Sequence, residues 1–254
     1  MQSSHPSSSS IVAACIGCGR EFSTEQITLL GNVFPAERYC GICLAAASAE
    51  AGEAEARTRW SRACVPTAYR ECSFENFEVA PGIEHARNVC RLWTKEYRAN
   101  NSLHRGLLLY GPPGAGKTHL AIAILRELVW SPREPSVLFI NVPEWLNALR
   151  ESYSYDEVEP PPNPHGYSAL VLDDLGAENW TSWARDRIYG IVNHREQERL
   201  LTFVTTNCDP SELSGRIGGP AMSRLNRLCR QEQVAASRDF REILTERETQ
   251  PSPS

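Results

Sequence analysis

The segment GPPGAGKT at residues 111–118 constrains the fold of this chain more than any other feature of its sequence. It follows an apolar run, GLLLY, and it precedes a helix-forming run, HLAIAILRELVW. The pattern matches G-x-x-x-x-G-K-[ST], in which glycines let backbone N–H groups face phosphate oxygens at the start of a helix. A buried strand, a phosphate-binding turn and a helix in this order predict a nucleotide-binding α/β fold.

The residues of this turn have predicted roles in binding a nucleoside triphosphate. Lys117 is placed to reach the β- and γ-phosphates, and the Thr118 hydroxyl is placed to ligate Mg²⁺. A glycine-rich turn that matches by chance is the alternative, but the strand before it and the helix after it favour the functional interpretation. The predicted nucleotide-binding residues of the turn are Gly111, Pro112, Pro113, Gly114, Ala115, Gly116, Lys117, Thr118 and His119.

Two carboxylates end a second apolar strand, in the segment LVLDD at residues 170–174. Because desolvating charge at the end of a buried strand is costly, a Mg²⁺ ion is the expected compensation. Asp173 is therefore the predicted magnesium partner in the nucleotide site. Asp174 is placed to orient or deprotonate the attacking water. Alternatively, Asp174 only caps the turn before Gly176.

A third apolar strand, LLTFVTTN, ends in Thr205, Thr206 and Asn207. Ligands of open α/β sheets lie at the carboxyl ends of the strands. The Asn207 amide is thus placed to hydrogen-bond the γ-phosphate and the water, although asparagine at a strand end is also a common turn former. On position alone, both interpretations stay open.

Two cysteine knuckles stand near the N-terminus, Cys15-x-x-Cys18 and Cys40-x-x-Cys43, with 21 residues between them. Four thiolates on two knuckles can surround one tetrahedral Zn²⁺, and metal binding supplies folding free energy to a segment with little core. Non-ligating thiols or two disulfides are the alternatives, and disulfides need an oxidising compartment. The other five cysteines show no pairing pattern and are predicted to be buried thiols: Cys64, Cys72, Cys90, Cys208 and Cys229.

Apolar runs alternate with helix-forming segments from about residue 82 onward. This alternation predicts an α/β fold, in which a parallel sheet carries helices on both faces and follows a small zinc-ribbon-like module. The predicted segments are a disordered tail at 1–10, a zinc-binding module at 11–45, a helical linker and lead-in at 46–80, an ATPase domain at 81–243 and a disordered tail at 244–254.

Composition excludes several other classes of protein. The net charge of −5 does not suit a protein that coats nucleic acid, and 41% hydrophobic residues suffice for a core. No apolar run approaches the roughly 18 residues of a membrane span. The first ten residues, MQSSHPSSSS, lack the basic region typical of a signal peptide. We therefore expect a cytoplasmic protein with reduced thiols and no membrane partner.

The order of these motifs resembles the AAA+ ATPases of the DnaC/DnaI helicase-loader family, with the IstB transposition helpers as close relatives. The resemblance covers roughly residues 63–241 and rests on GPPGAGKTHLA, LVLDDLGAE, IVNHR, VTTN, GRIGGPAMSRL and DFR. It implies that Asn207 is the sensor 1 residue and that Arg224 is an arginine finger, which reaches the γ-phosphate of a neighbouring subunit. Arg227 is the fallback for that role. Family members often carry another arginine shortly before the finger, where this chain has Pro220-Ala221-Met222.

The resemblance implies a replicative helicase loader with a P-loop AAA+ sheet and an ATPase activity. We expect this activity to be slow, because an aspartate, Asp174, stands at the catalytic position, and to be stimulated by a partner or by DNA. The expected cofactors are ATP, Mg²⁺ and Zn²⁺. The expected partners are a DnaB-type replicative helicase, single-stranded DNA, and further copies of the chain through the ATPase domain. The interval between the cysteine knuckles carries only Arg20 and Arg38 as basic residues, which favours protein over DNA as the partner of the zinc module.

Several alternatives remain at this level. Residues 216–241 hold six arginines against two acidic residues, which suits phosphate contacts or, equally, a solvated helix face. An IstB-like transposition helper would use the same ATPase, although the zinc module weighs against it. A P-loop small-molecule kinase and a nucleotide-binding scaffold that hydrolyses little are further alternatives.

Overall fold

The computed structural model describes residues 10–29, 32–78, 82–100, 105–131, 135–155, 157–178 and 180–235. The chain divides into two compact units, residues 1–57 and residues 58–254. The two predicted tails lie outside the described residues, apart from Ser10, which begins the first strand. The predicted domain boundaries stay predictions.

The N-terminal unit contains a three-stranded antiparallel sheet in the order β1-β2-β3. Ile11 pairs with Thr24 and Ile27 pairs with Phe34 across the sheet. The longest strand, EFSTEQITL, is mostly polar and exposed, so its sequence carries no apolar pattern. The elements of this unit are β1 (Ser10–Ala14), β2 (Glu21–Leu29), β3 (Asn32–Pro35) and most of α1 (Gly41–Ser61).

The second unit is built on a five-stranded parallel sheet in the order β5-β6-β7-β4-β8. This confirms the predicted α/β fold. Its elements are α2 (Glu84–Asn100), β4 (Gly106–Tyr110), α3 (Lys117–Val129), β5 (Val137–Asn141), α4 (Val142–Ser154), β6 (Ala169–Asp173), α5 (Ser182–Gln197), β7 (Leu201–Thr206), α6 (Pro210–Ile217), α7 (Gly219–Leu228) and β8 (Cys229–Gln233).

Alternate residues of each strand face opposite sides of the sheet. Leu108, Leu172 and Val204 pack into one apolar cluster with side chains of α4, α5, α6 and α7. We call this side the α4–α7 face. On the other side, α3 packs along β4, β5, β6 and β7, and the Trp93 ring of α2 meets the Phe203 ring edge-on at 4.9 Å. We call this side the α2–α3 face. Because helices cover both faces, both sides of each central strand are buried, and its sequence is a continuous apolar run.

The strand β8 was not predicted, since its sequence CRQEQ lacks an apolar pattern. Among the described residues it pairs only with β4, at the edge of the sheet, where polar side chains are tolerated. Within the described part of residues 216–241, the solvated-helix alternative therefore holds at most for the end of α6 and for α7. Helix α7 ends at Leu228, and the backbone is extended from Cys229 to Gln233.

The prediction for the unpaired cysteines was wrong at one position. Cys72, Cys90, Cys208 and Cys229 are buried, but Cys64 is exposed. Cys64 follows α1 in a left-handed conformation with φ of 58°, so its side chain turns away from the core. All nine cysteines of the chain are free thiols, which leaves no disulfide between the two knuckles.

Candidate nucleotide-binding site

The glycine-rich turn joins β4 to α3 at the carboxyl edge of the sheet. Gly116 has φ of +84°, and a Cβ atom there would lie 2.7 Å from the Phe77 ring. Gly111 has φ of +150°, and a Cβ atom there would lie 2.3 Å from the carbonyl oxygen of Val234. Side chains at either position would strain the backbone and collide with neighbours, so the turn requires glycine here.

Lys117 lies inside this turn and is only 7% exposed. Its Nζ atom donates hydrogen bonds to the carbonyl oxygens of Gly111 at 2.9 Å and Pro112 at 2.7 Å. The loop therefore wraps around its own ammonium group. Gly111 and Pro112 hold the Lys117 ammonium through their backbone carbonyl oxygens, and the side chain of Ala115 is fully buried.

The two residues predicted to bind magnesium meet, although 55 positions separate them. Asp173 Oδ1 accepts hydrogen bonds from Thr118 Oγ1 at 2.8 Å and from Thr205 Oγ1 at 2.6 Å. Burial raises the pKa of the Asp173 carboxyl, and the hydroxyls of Thr205 and Thr118 oppose this rise. A buried carboxylate with a hydroxyl beside it supplies oxygen ligands of the kind that Mg²⁺ prefers.

Asp174 and Asn207, the predicted catalytic pair, also lie in contact. Asn207 Nδ2 donates to Asp174 Oδ1 at 2.9 Å, and the Asp174 backbone N–H donates to Thr205 Oγ1 at 2.9 Å. Asp174 has a left-handed φ of 56°. This backbone turns its carboxylate away from the strand direction and beside Asp173, so that two carboxylates and an amide converge at the ends of β6 and β7.

These groups line one cavity of about 480 Å³. Asp173, Asp174 and Asn207 line it, and so do five residues of the turn: Pro113, Gly114, Gly116, Lys117 and Thr118. The other predicted residues of the turn, Gly111, Pro112 and Ala115, do not line it. His119 also lines it, but its Nε2 atom is 2.8 Å from the carbonyl oxygen of Ser73, and its ring meets the Phe77 ring at 5.0 Å. Burial lowers the pKa of His119. The imidazole therefore connects the lead-in segment, through Ser73 and Phe77, to the start of α3.

Five residues in the cavity wall were missed by sequence reasoning: Pro66, Tyr69, Phe139, Asn141 and Glu144. Asn141 ends β5, so the rule that ligands meet at strand ends could have found it. Its side chain caps α4 by accepting from the Glu144 N–H at 3.2 Å. Pro66 and Tyr69 belong to a lead-in segment without hydrophobic period, and no sequence signal pointed to them.

Arg224, the predicted arginine finger, lies on α7 and does not line this cavity. Its Nε atom donates to Asn193 Oδ1 at 2.8 Å and lies 3.5 Å from Glu196 Oε2. Its guanidinium stacks 4.7 Å above the Tyr189 ring. Arg227 contacts the same Glu196 at 2.5 Å. Both arginines are thus held on the α4–α7 face by helix α5.

The four knuckle cysteines converge in the N-terminal unit. The Sγ atoms of Cys15, Cys18, Cys40 and Cys43 all lie within 4.8 Å of one another. A tetrahedral Zn²⁺ with bonds of about 2.3 Å places its sulfur ligands about 3.8 Å apart, and the Cys18–Cys40 distance is 3.7 Å. The Cys40 backbone N–H donates to Cys15 Sγ at 3.2 Å and lowers the pKa of that thiol to about 6. The donor set and its spacing fit one zinc ion.

The phosphate-binding turn, the parallel sheet and the strand-end carboxylates define an ATP-binding protein with an AAA+ type of fold. The family model of the IstB-like ATP binding proteins matches residues 53–239, and the chain belongs to this family. The resemblance drawn from the motifs is therefore confirmed.

Sequence relatives include two proteins named as replicative helicase loaders. DnaI of Bacillus subtilis is 40% identical over 111 residues, which are 43% of this chain and 35% of DnaI. DnaC of Escherichia coli K12 is 28% identical over 170 residues, which are 65% of this chain and 67% of DnaC. The match to DnaI thus spans about a third of that protein's length.

Solved structures agree with the fold. A crystal structure of the DnaC helicase loader has a TM-score of 0.57 at 23% identity and covers 67% of this chain and 100% of the other. A crystal structure of DnaI has a TM-score of 0.55 at 26% identity, and the match covers 70% of this chain and 94% of the DnaI chain. Among the described residues, no helix is long and apolar enough to cross a membrane.

Proposed function

We propose that this chain is an ATP-dependent loader of a DnaB-type replicative helicase, working in the cytoplasm. The observation that carries the proposal is the convergence of two contacts at one phosphate-binding turn, Thr118 with Asp173 and Asp174 with Asn207. The names of the sequence relatives supply the partner.

The nucleotide chemistry follows from the cavity wall. Lys117 would exchange its two carbonyl partners for the β- and γ-phosphate oxygens of ATP. Thr118 and Asp173 would hold Mg²⁺, which when bound neutralises charge on the phosphates. Asp174 would orient the attacking water and accept its proton, and Asn207 would keep the Asp174 carboxylate in place. Aspartate is shorter than the glutamate of many ATPases, which suits slow turnover.

Arg224 would complete the site of a neighbouring copy. A guanidinium on the α4–α7 face cannot serve its own cavity while it contacts Asn193 and Glu196. Self-association would therefore exchange these contacts for the γ-phosphate of the next copy. Because Pro220, Ala221 and Met222 replace a second arginine, a single guanidinium would sense the nucleotide.

The zinc module would dock on the helicase through an apolar surface. On the three-stranded sheet, Val12, Ile27, Leu29 and Phe34 share one face by strand alternation and pairing register. All four are large apolar side chains that are more than two-fifths exposed. Exposed apolar side chains grouped on one face are typical of protein-binding surfaces.

Single-stranded DNA would bind in a groove between α4 and α5, which we call the α4–α5 groove. This cavity of about 550 Å³ is lined by Trp145, Tyr153 and His165, with Arg187 at its wall. Aromatic rings stack on bases without sequence preference, and an arginine can contact phosphate. The arginines of 216–241 support this role less well, since Arg216 already pairs with Glu212.

The second candidate is an ATP-dependent transposition helper. The match to the IstB-like family model favours it, because both functions use the same ATPase. In that case the apolar face of the zinc module would meet a transposase in place of a helicase.

The test uses Asp174→Asn as a trap, since this variant should bind ATP and turn it over slowly. The variant is immobilised with ATP and Mg²⁺ and exposed to lysate of the source cells, and bound proteins are identified by mass spectrometry. We expect the replicative helicase on the trap, none on Lys117→Ala, and less on Phe34→Asp. A transposase without helicase would support the second candidate.

Direct assays of the same variants test the nucleotide site. We expect Lys117→Ala to lose ATP binding, and full ATPase activity in this variant would overturn the site assignment. Arg224→Ala should bind ATP normally and lose turnover when the chain is assembled. Binding of fluorescent single-stranded DNA should weaken in Tyr153→Ala, with Tyr155→Ala as an exposed aromatic control on the adjoining segment.

A further inference from the structure

A basic groove lies along helix α2, on the α2–α3 face of the ATPase unit. This cavity of about 730 Å³, which we call the α2 groove, is lined by Phe74 and by one side of α2. Arg91 and Lys95 stand one helical turn apart in its wall, next to Leu92, whose side chain is 58% exposed. In the described part of the chain, neither cation has an ion-pair partner. The nucleotide site uses none of these residues.

The polar groups of the groove distinguish between possible occupants. Glu75 and Glu127 also line it, and Arg98 is paired with Glu127 at 2.7 Å. A nucleic acid backbone would meet these carboxylates as like charges and would gain little from the apolar side chain of Leu92. A polypeptide that carries two carboxylates around an aliphatic residue would match Arg91, Leu92 and Lys95 in both charge and polarity.

The chain itself presents such a sequence. Residues Glu157, Val158 and Glu159, which we call the acidic loop, follow α4 and are all exposed. Val158 is 38% exposed between its two acidic neighbours. Neither glutamate forms a salt bridge or side-chain hydrogen bond within the described ranges. The acidic loop therefore offers an aliphatic side chain flanked by two carboxylates without partners.

The groove and the loop of one chain are far apart. Helix α4 follows the edge strand β5 and packs on the α4–α7 face. Helix α2 lies on the opposite face towards the other edge, where Trp93 Nε1 donates to the Arg105 carbonyl oxygen and His85 contacts Glu232 of β8. Four strand spacings separate β5 from β8, which is about 19 Å, and the sheet itself stands between the two surfaces.

We propose that the α2 groove of one copy binds the acidic loop of the next copy. Complementary patches on opposite faces of one chain generate a head-to-tail contact, which closes a ring or continues as a helical filament. Arg224 lies on α7, which packs on the same face as α4, the helix that the acidic loop follows. One head-to-tail contact can therefore present both to the neighbouring copy. The inference rests on the self-association that the proposed function requires, and it identifies residues that hold the copies together.

The experiment is a charge swap measured by sedimentation velocity with a non-hydrolysable ATP analogue and Mg²⁺. The groove variant is Arg91→Glu with Lys95→Glu, and the loop variant is Glu157→Lys with Glu159→Lys. We expect each to need about tenfold or more higher concentration for assembly than the unaltered chain, because like charges then face each other. An equimolar mixture of the two variants should assemble again, and so should the chain with all four substitutions.

Controls separate this contact from folding and from the proposed function. Each variant must retain the thermal unfolding midpoint and the ATP affinity of the unaltered chain. If both variants assemble normally, or if the mixture and the four-substitution chain fail to assemble, the proposed contact is wrong while self-association stands. A groove variant that assembles normally but binds single-stranded DNA more weakly would assign the groove to DNA and also overturn the proposal. An unaltered chain that stays monomeric would overturn both this contact and the assembly step of the proposed function.

Discussion

The buried arginine of helix α5 offers the sharpest test of how this fold is held together. Arg195 has no solvent exposure, and within the described part of the chain its guanidinium contacts no carboxylate. Its guanidinium donates five hydrogen bonds, to one hydroxyl and four backbone carbonyls. The acceptors are Thr202 Oγ1 at 2.9 Å and the carbonyl oxygens of Pro164 at 3.1 Å, Tyr167 at 2.9 Å, Ser168 at 3.3 Å and Leu201 at 2.6 Å.

These contacts set the expected cost of replacing Arg195 by methionine. Hydrogen bonds from a charged donor contribute about 1.5 kcal/mol each at the lower end of their range. Desolvation of the guanidinium opposes them, since burial lowers the pKa of Arg195 to about 10, and this depression corresponds to about 3 kcal/mol. Five such bonds contribute about 7.5 kcal/mol. After the desolvation cost, the balance predicts that Arg195→Met lowers the free energy of unfolding by about 4 kcal/mol, a large share of the roughly 5–15 kcal/mol typical of a domain.

Urea unfolding followed by tryptophan fluorescence measures this loss. All six tryptophans of the chain lie in the unit of residues 58–254, so the signal reports the ATPase unit alone. Arg187→Met on the same helix is the matched control, because Arg187 is exposed, and its effect should stay within about 0.5 kcal/mol. Arg195→Lys keeps the charge with fewer donors and should lose about 2 kcal/mol. A loss below about 1 kcal/mol in Arg195→Met would refute the reasoning.

Three further predictions follow from the site and the zinc module. The purified chain should carry one zinc ion by elemental analysis. The variant Cys18→Ser should lose the metal and the structure of the N-terminal unit, while its ATP affinity stays within about twofold of the unaltered chain. An N-terminal unit that is folded without metal would contradict this prediction. Burial raises the pKa of Glu178 to about 7, so the folded state holds this proton more tightly than the unfolded state. The free energy of unfolding should therefore fall as pH rises from about 5 to about 7, and Glu178→Gln should flatten this dependence in urea titrations. If the free energy of unfolding of the variant and of the unaltered chain depended on pH in the same way, the effect would be excluded. Gly116→Ala should weaken ATP binding at least about tenfold in nucleotide titrations, because its Cβ meets an aromatic ring at 2.7 Å and a left-handed backbone. Gly190→Ala, where a Cβ has open space, should bind normally.

The strands and helices with a strong apolar period could be predicted from the sequence. GLLLY and LVLDD became β4 and β6 because side chains buried on both faces of a parallel sheet leave a continuous apolar run. The polar edge strand β8 and the strand β2 carried no such signal, since their backbones pair at an edge or in a small sheet without a large core. Local sequence cannot report such pairing, because the partner strand supplies the hydrogen bonds.

Much of the candidate site could be predicted from the sequence, because its chemistry requires particular residue types at fixed spacing. Phosphate binding by a backbone turn demands glycine at positions such as Gly116, and this demand leaves a spaced pattern. The wall residues Tyr69 and Asn141 left none, because their place in the cavity depends on how the lead-in and β5 pack.

The sequence by itself determined the chemistry that is local along the chain: the phosphate-binding turn, the two carboxylates that end β6 and the two cysteine knuckles. The tertiary structure alone decided which distant groups meet. It brought Thr118 to Asp173 and Asn207 to Asp174, because parallel strands end at a common edge. It also buried Arg195 among backbone carbonyls and left Arg224 on the opposite face from α2. Spacing in sequence specifies contacts within a turn, whereas contacts between elements depend on the order and register of the sheet.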